Sequence, residues 1–276
     1  MKNFQRLRQR LPQRNYFRLY WIFLKRSFIA KMEFRMDFFI GILGFLIENL
    51  AYLFSIYFIV RSVPSLNGWN FYQMGFLFGF TMLPIAFDHL FTDELWRIAY
   101  FRVARGDVDR YFLRPLSVLF QVVAETFQPD AFGELFLGIF MLVFCGSKIQ
   151  IHWSLPLVVL LLVATFVGAL AITSIKIFAS SFAFVFKRSG YVLQILYNFR
   201  EYTRYPISIY PKIMRFVLSF ILPYGLIISM PVETLFFGTY GCISLCIRIV
   251  AVTAVLLSIS LLVWKHNVRK YESTGN

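Results

Sequence analysis

The sequence predicts an all-α, polytopic integral membrane protein with six transmembrane helices, and three observations predict it. The first is that 59% of the 276 residues are hydrophobic, with a mean hydropathy of +0.66, which is more apolar surface than one soluble core can hide. The second is a recurrence of apolar runs that meet the roughly 20 residues a bilayer core of about 30 Å demands of a helix. The third is charge: 28 Lys and Arg against 14 Asp and Glu give a net +14, and the cations gather between the runs. In a membrane chain that excess marks cytoplasmic loops and contacts with anionic headgroups, not nucleic acid.

The elements follow in order. Residues 15–35, NYFRLYWIFLKRSFIAKMEFR, carry too much charge to cross, but mix Phe17, Tyr20, Trp21 and Phe28 with Arg18, Lys25, Arg26 and Lys31. That is the pattern of a helix lying in the headgroup plane. No short apolar run with a small-residue cleavage site follows the basic N-terminus, so a removable signal peptide is not expected. The first crossing runs from Met36 to Val60 and the second from Phe71 to Phe91, where Gly75 and Gly79 have the spacing of close helix packing. A polar segment intervenes, then a third crossing rises through Pro115 to Gln128 and joins at Pro129 to DAFGELFLGIFMLVFC, ending at Cys145. The fourth starts at Ser154 and ends at Lys187 and Arg188, and the last spans Ile247 to Trp264.

Between the fourth and the last, hydropathy permits two readings. Either Phe216 to Met230 crosses, although it is fifteen residues with Pro223 in its middle, or Ser189 to Pro206 crosses and the apolar stretch beyond it dips in and returns. Orientation is common to both. Ten Lys or Arg precede Met36, five lie between Asp93 and Arg114, two are Lys187 and Arg188, and three follow Trp264, twenty of the 28 on one side. That side is the cytoplasm, with both termini in it. The same rule by itself favours the first reading, which puts Arg200, Arg204, Lys212 and Arg215 inside.

Enzymatic chemistry is not signalled. His89, His152 and His266 are isolated, and HExxH, GxSxG and P-loop patterns are absent; Gly146-Ser147-Lys148 lacks the upstream glycine. Cys145, Cys242 and Cys246 sit among apolar residues as free structural thiols. Asp88, His89, Asp93 and Glu94 make the nearest approach to an acid cluster, and are expected to form a solvated helix end. No catalytic, cofactor or metal site is expected.

Polarity inside crossings is expensive and therefore informative. Gln194, Asn198, Glu201 and Tyr205 follow i, i+4, i+7, i+11, an arc of roughly 60° at about 100° per residue. Glu48 and Asn49 sit midway along the first crossing, and Gln121, Glu125 and Gln128 share a side of the third. These residues either line a polar path or subunit seam, or bond helices within one bundle. The polar segment itself begins DELWRIAYFR, an amphipathic helix with Leu95, Trp96, Ile98 and Phe101 against Arg97 and Arg102. With a turn at Gly106, it is shaped to dock a soluble partner.

GDVDRYFLRPLS, Gly106 to Ser117, resembles the glycine, acidic residue, then Leu-Arg-Pro-Leu pattern of the permease subunits of ABC-2 type transporters. KRSGYVLQILYNF followed by YPISIYPKIMRFVLSFILPYGLIISMPVETLF is similar to that family's fifth helix and extracytoplasmic re-entrant hairpin. The resemblance covers nearly the whole chain and implies a single transmembrane domain over 1–276, with an interfacial elbow helix at 15–35, a coupling-helix loop at 93–114 and a re-entrant hairpin at 207–237. It selects Ser189 to Pro206 as the fifth crossing. It also implies an exporter of an amphipathic or lipid-like substrate in the cytoplasmic (inner) membrane, built with a second identical or related permease. Separate cytoplasmic ABC-type ATPase subunits carry ATP and Mg, none of it bound by this chain, and membrane lipids surround the pair. Glu94, Arg97, Arg102, Arg105, Asp107, Asp109 and Arg110 are then the coupling residues. Glu48, Asn49, Gln194, Asn198, Glu201 and Tyr205 are candidates for the translocation path or subunit seam. A membrane-embedded lipid-modifying enzyme and a non-transporting scaffold are the alternatives from other classes.

Overall fold

The computed structural model describes residues 16–33, 35–62 and 67–273. The basic stretch 1–14, residue 15 at the start of the elbow helix, Phe34, part of the loop after the first crossing (63–66) and the last three residues lie outside them. Among the described residues the regular elements are helical.

Five helical stretches are long and apolar enough to cross a membrane: Phe39–Phe58, Phe71–Thr92, Pro129–Gly146, Leu155–Phe186 and Cys242–Val268. They belong to α2 (Arg35–Ser62), α3 (Phe71–Thr92), α7 (Phe132–Gly146), α8 (Leu155–Ser181) and α14 (Cys242–Val268). Helix α1 (Tyr16–Glu33) precedes them, and between them lie the shorter helices α4 (Glu94–Arg97), α5 (Asp109–Phe112), α6 (Val118–Glu125), α9 (Ala183–Phe186), α10 (Gly190–Asn198), α11 (Lys212–Phe216), α12 (Tyr224–Ile227) and α13 (Ser229–Phe237).

The third crossing is shorter than its sequence suggests. Thr126 is extended and Pro129 opens a 3-10 turn, so the apolar lower half becomes the separate helix α6. A proline without an N–H cannot continue the ladder, and here it starts a new element. Helix α1 packs on α6: Ser27 Oγ accepts from the Phe127 N–H at 2.8 Å, and Tyr16 meets Phe120 edge-on at 5.2 Å. Its outer face leaves Phe17 and Trp21 exposed.

Helix α3 is the centre of the bundle. Asn70 and Gln73 cap it reciprocally at 2.9 Å each way. Its span is 78% buried, against 11% for that of α2, which leaves most of its circumference uncovered. Gly75 and Gly79 allow α3 and α7 to touch backbone to backbone. A Cβ added at Gly79 would stand 2.9 Å from the Gly138 carbonyl oxygen, and one at Gly75 would stand 2.6 Å from Cys145 Sγ. Helix α14 lies along α8, presenting Leu245, Ile249, Thr253, Ser260, Trp264 and Asn267 at helical spacing. Asn267 closes the seam by donating to Ser181 Oγ at 3.0 Å.

Each end of the bundle is assembled from loops that the charge reading places on one side. At one end Ser189 N–H donates to the Ala99 carbonyl, Phe184 packs on Trp264, and Tyr271 donates to Asp109. At the other, Asn67 donates to the Ser208 carbonyl and Trp69 meets Phe236 and Phe237.

Neither reading of 189–241 produces a long helix. Helix α10 ends at Asn198, continues as a 3-10 stretch over Phe199–Arg204, and reaches only the middle of α3, where Thr81 Oγ1 approaches the Thr203 carbonyl at 3.5 Å. Beyond it the chain runs through α11, a π-helical turn over Val217–Ile221, and back through α12 and α13. The turn at Leu222 and Tyr224 packs against Ile85, Ile172 and Ile175, and Tyr224 donates to the Leu196 carbonyl at 3.2 Å.

Candidate functional site

A groove of about 530 Å³ opens where α2, α3, α7 and α10 meet. Four of the residues singled out in the sequence line it: Glu48, Gln194, Asn198 and Glu201. The other two do not. Asn49 donates to the Phe45 carbonyl at 2.8 Å and lines a small neighbouring cavity, while Tyr205 packs into the main core. The stripe holds as far as Glu201 and fails at Tyr205, because past Asn198 the 3-10 winding advances about 120° per residue and Tyr205 is already extended backbone. Gln194 and Asn198 bond each other at 2.7 Å.

The C-terminal end of α3 is not the solvated helix end expected from sequence. Asp88 is fully buried and forms an ion pair at 2.7 Å with Lys176, a lysine with no exposure inside the fourth span. Thr92 and Thr173 each donate to Asp88 Oδ1 at 2.7 Å, and Tyr197 donates to Oδ2 at 3.3 Å. Its neighbour His89 stands between Glu134 at 3.1 Å and Asp93 at 3.6 Å, on the groove wall. Sequence reasoning missed both Lys176 and Glu134. The signal was there: Lys176 is a lone cation in a run of mean hydropathy 2.8, and a lone charge at that depth needs a partner.

Arg200 and Arg204 face protein, as their cost in lipid requires, level with the middle of α3. Both bind Glu201, at 2.8 and 2.6 Å. Arg200 also lies over the Tyr197 ring at 4.0 Å and Arg204 over Tyr52 at 3.7 Å.

The polar segment 93–114 splits into an inner and an outer set. Glu94 is buried, pairs with Arg102 at 2.5 Å and Arg97 at 3.4 Å, and accepts from Thr126 at 2.7 Å. Burial pushes its carboxyl above the ordinary value against the pull of that hydroxyl and the two guanidiniums. Asp109 accepts from Tyr271 at 2.8 Å and Ser273 at 2.6 Å, which ties the loop to the C-terminal segment. Arg110 and Tyr111 both bond Glu125. Gln121 donates to the Tyr111 and Leu116 carbonyls, so two of the polar residues of the third crossing brace this loop. Leu95 and Ile98 are buried and the short helix gains a π turn over Ile98–Arg102. What remains on the outside is Arg105, Asp107, Arg110 and Arg114, around a Leu113 that is 85% exposed, with Gly106 (φ 78°) making the turn.

Among the described residues no group of three or more His, Cys, Asp or Glu is arranged to hold a metal. The groove can hold charge and polarity within the membrane.

Searches of the curated proteins and of the solved structures return no match. Residues 46–275 match the family model described as ABC-2 family transporter protein. The match spans most of the chain, from mid-α2 to the C-terminal segment, so the protein belongs to the ABC-2 transporter family and is a multi-pass membrane permease component of an ABC transporter.

Proposed function

We propose that the chain is the permease of an ATP-driven exporter, working beside a second identical or related permease and powered by separate cytoplasmic ATPase subunits that carry ATP and Mg. The carrying observation is the groove: charged and amide side chains from four helices gather at membrane depth, where polarity without a role is costly. Substrate, amphipathic or lipid-like, passes along it. The largely uncovered α2 supports a partner permease against that face.

In this reading the protein sits in the inner membrane with both termini in the cytoplasm, as one transmembrane domain. Ser189 to Pro206 counts as the fifth crossing in chain order, a shortened one, completed towards the outside by 207–237 as a re-entrant hairpin. Both ends of that hairpin sit beside Asn67 and Trp69, and its turn reaches α8 and α10, which supports the assignment. The exposed part of 93–114, Leu113 with Arg105, Asp107 and Arg110, is the surface that meets the ATPase. Glu94, Arg97, Arg102 and Asp109 shape that surface from behind. Helix α1 lies in the inner headgroup plane.

The test replaces Gln194 and Asn198 together by Leu. Both are exposed to the groove and bond each other, so the pair leaves no buried orphan. The expected result is a folded complex with basal ATP hydrolysis and with transport lost or its selectivity changed. Unchanged transport removes the groove as the path. Failure to copurify with a soluble P-loop ATPase removes the exporter reading altogether.

A further inference from the structure

The groove carries an electrical imbalance. Glu48, Asp93, Glu134 and Glu201 line it, and Asp88 stands behind through Lys176. Against these five carboxylates stand three permanent cations, Lys176, Arg200 and Arg204, and one imidazole, His89. The sum is negative whether His89 is protonated or neutral.

The excess is localised. Arg200 and Arg204 together over-compensate Glu201 by one positive charge, Lys176 shared by Asp88 and Asp93 falls short by one, and the two cancel, so the net excess rests on Glu48 and Glu134. Glu48, in the middle of an apolar span, makes no ion pair among the described residues. Glu134 is half-satisfied: its side chain is 7% exposed, Oε1 meets His89, and Oε2 has no hydrogen-bond partner. A carboxylate left unpaired at membrane depth costs free energy that a ligand can recover. The aromatic lining points the same way. Tyr197 and Tyr52 already carry Arg200 and Arg204 on their faces, whereas Trp96, the ring type that binds cations best, has no cation over it among the described residues.

We propose that the groove receives a positively charged group, a primary amine or quaternary ammonium on an amphipathic molecule, with Glu48 and Glu134 as its counter-charges and Trp96 as its aromatic wall. This rests on the groove being the transport path for its meaning in export, but the binding site stands or falls by itself. The same cation chemistry is found in a transported amphiphile and in the amine headgroup of a resident lipid.

The experiment uses two hydrophobic ions of matched size and opposite sign, tetraphenylphosphonium and tetraphenylborate, with the full-length permease and its ATPase in uncharged maltoside micelles. Binding is read by equilibrium dialysis. The phosphonium is expected to bind saturably, and Glu48→Gln, on an exposed helix face, to weaken it by about tenfold, with recovery in Glu48→Asp. Tetraphenylborate is expected to show no component that depends on Glu48. Displacement by added phosphatidylethanolamine identifies a lipid amine as the occupant, and absence of displacement identifies a free amphiphilic cation; both support the site. Equal saturable binding of the two ions, or phosphonium binding indifferent to Glu48→Gln, overturns it. Should Gln194→Leu/Asn198→Leu transport normally while phosphonium binding still depends on Glu48, the cation site stands and the path assignment falls.

Discussion

Replacing Lys176 by Met removes a charge while keeping the length of the side chain, and the structure sets the size of the effect. At 2.7 Å from Asp88, with an effective dielectric of about 20, the gross attraction is about 6 kcal/mol. Desolvating an ammonium and a carboxylate costs several kcal/mol each, so the intact pair contributes little net stability. Breaking it is another matter, because Asp88 has no exposure and keeps only its hydroxyl donors, Thr92, Thr173 and Tyr197. Lys176→Met is therefore expected to destabilise the fold by about 3–5 kcal/mol. The double variant Lys176→Met/Asp88→Asn, which leaves a neutral amide whose oxygen still accepts from those hydroxyls, should recover at least half of that loss. The assay is equilibrium unfolding in maltoside micelles titrated with denaturing detergent, followed by tryptophan fluorescence, for the parent, both singles and the double. A Lys176→Met protein within about 1 kcal/mol of the parent, or strictly additive losses, would refute the buried pair.

Gly79→Ala should cost about 1–3 kcal/mol, since the new methyl meets the Gly138 carbonyl at 2.9 Å, whereas Gly44→Ala, with nothing within 4 Å, should stay within about 0.5 kcal/mol in the same assay. Leu113→Asp combined with Arg105→Glu should leave the permease folded and membrane-inserted but reduce ATPase copurification at least about tenfold; retention of the ATPase would move the docking surface elsewhere. Arg102→Glu by contrast should lower folded yield itself, because Arg102 neutralises the buried Glu94. With Cys145→Ala, Cys242→Ser and Cys246→Ser as background, Lys212→Cys should react with an impermeant thiol reagent from outside intact cells and Lys187→Cys only after the membrane is opened. Labelling of both from the same side would remove the re-entrant hairpin.

The membrane class, five of the crossings and the sorting of loops to two ends were determined by the sequence alone, because they follow from length, hydropathy and cation clustering, which are local quantities. The GFLFG spacing likewise announced the close α3–α7 contact, since only glycine lets two backbones approach so nearly. Family membership was legible in Gly106 to Ser117 and in the segment after Lys187. Tertiary structure alone decided what the polar residues do. Asp88 and Lys176 are 88 positions apart in sequence, and nothing local announces that one buried charge is answered by the other. Arg102 and Arg105 look equivalent in the polar segment, yet one turns inward to Glu94 and the other stays exposed. The stripe from Gln194 to Tyr205 assumed one unbroken α-helix; the change to 3-10 winding at Phe199 keeps Glu201 on the groove and turns Tyr205 away. A helical period can be read from one segment, but the partner of a buried charge lies on another segment, and only the packing of helices brings the two together.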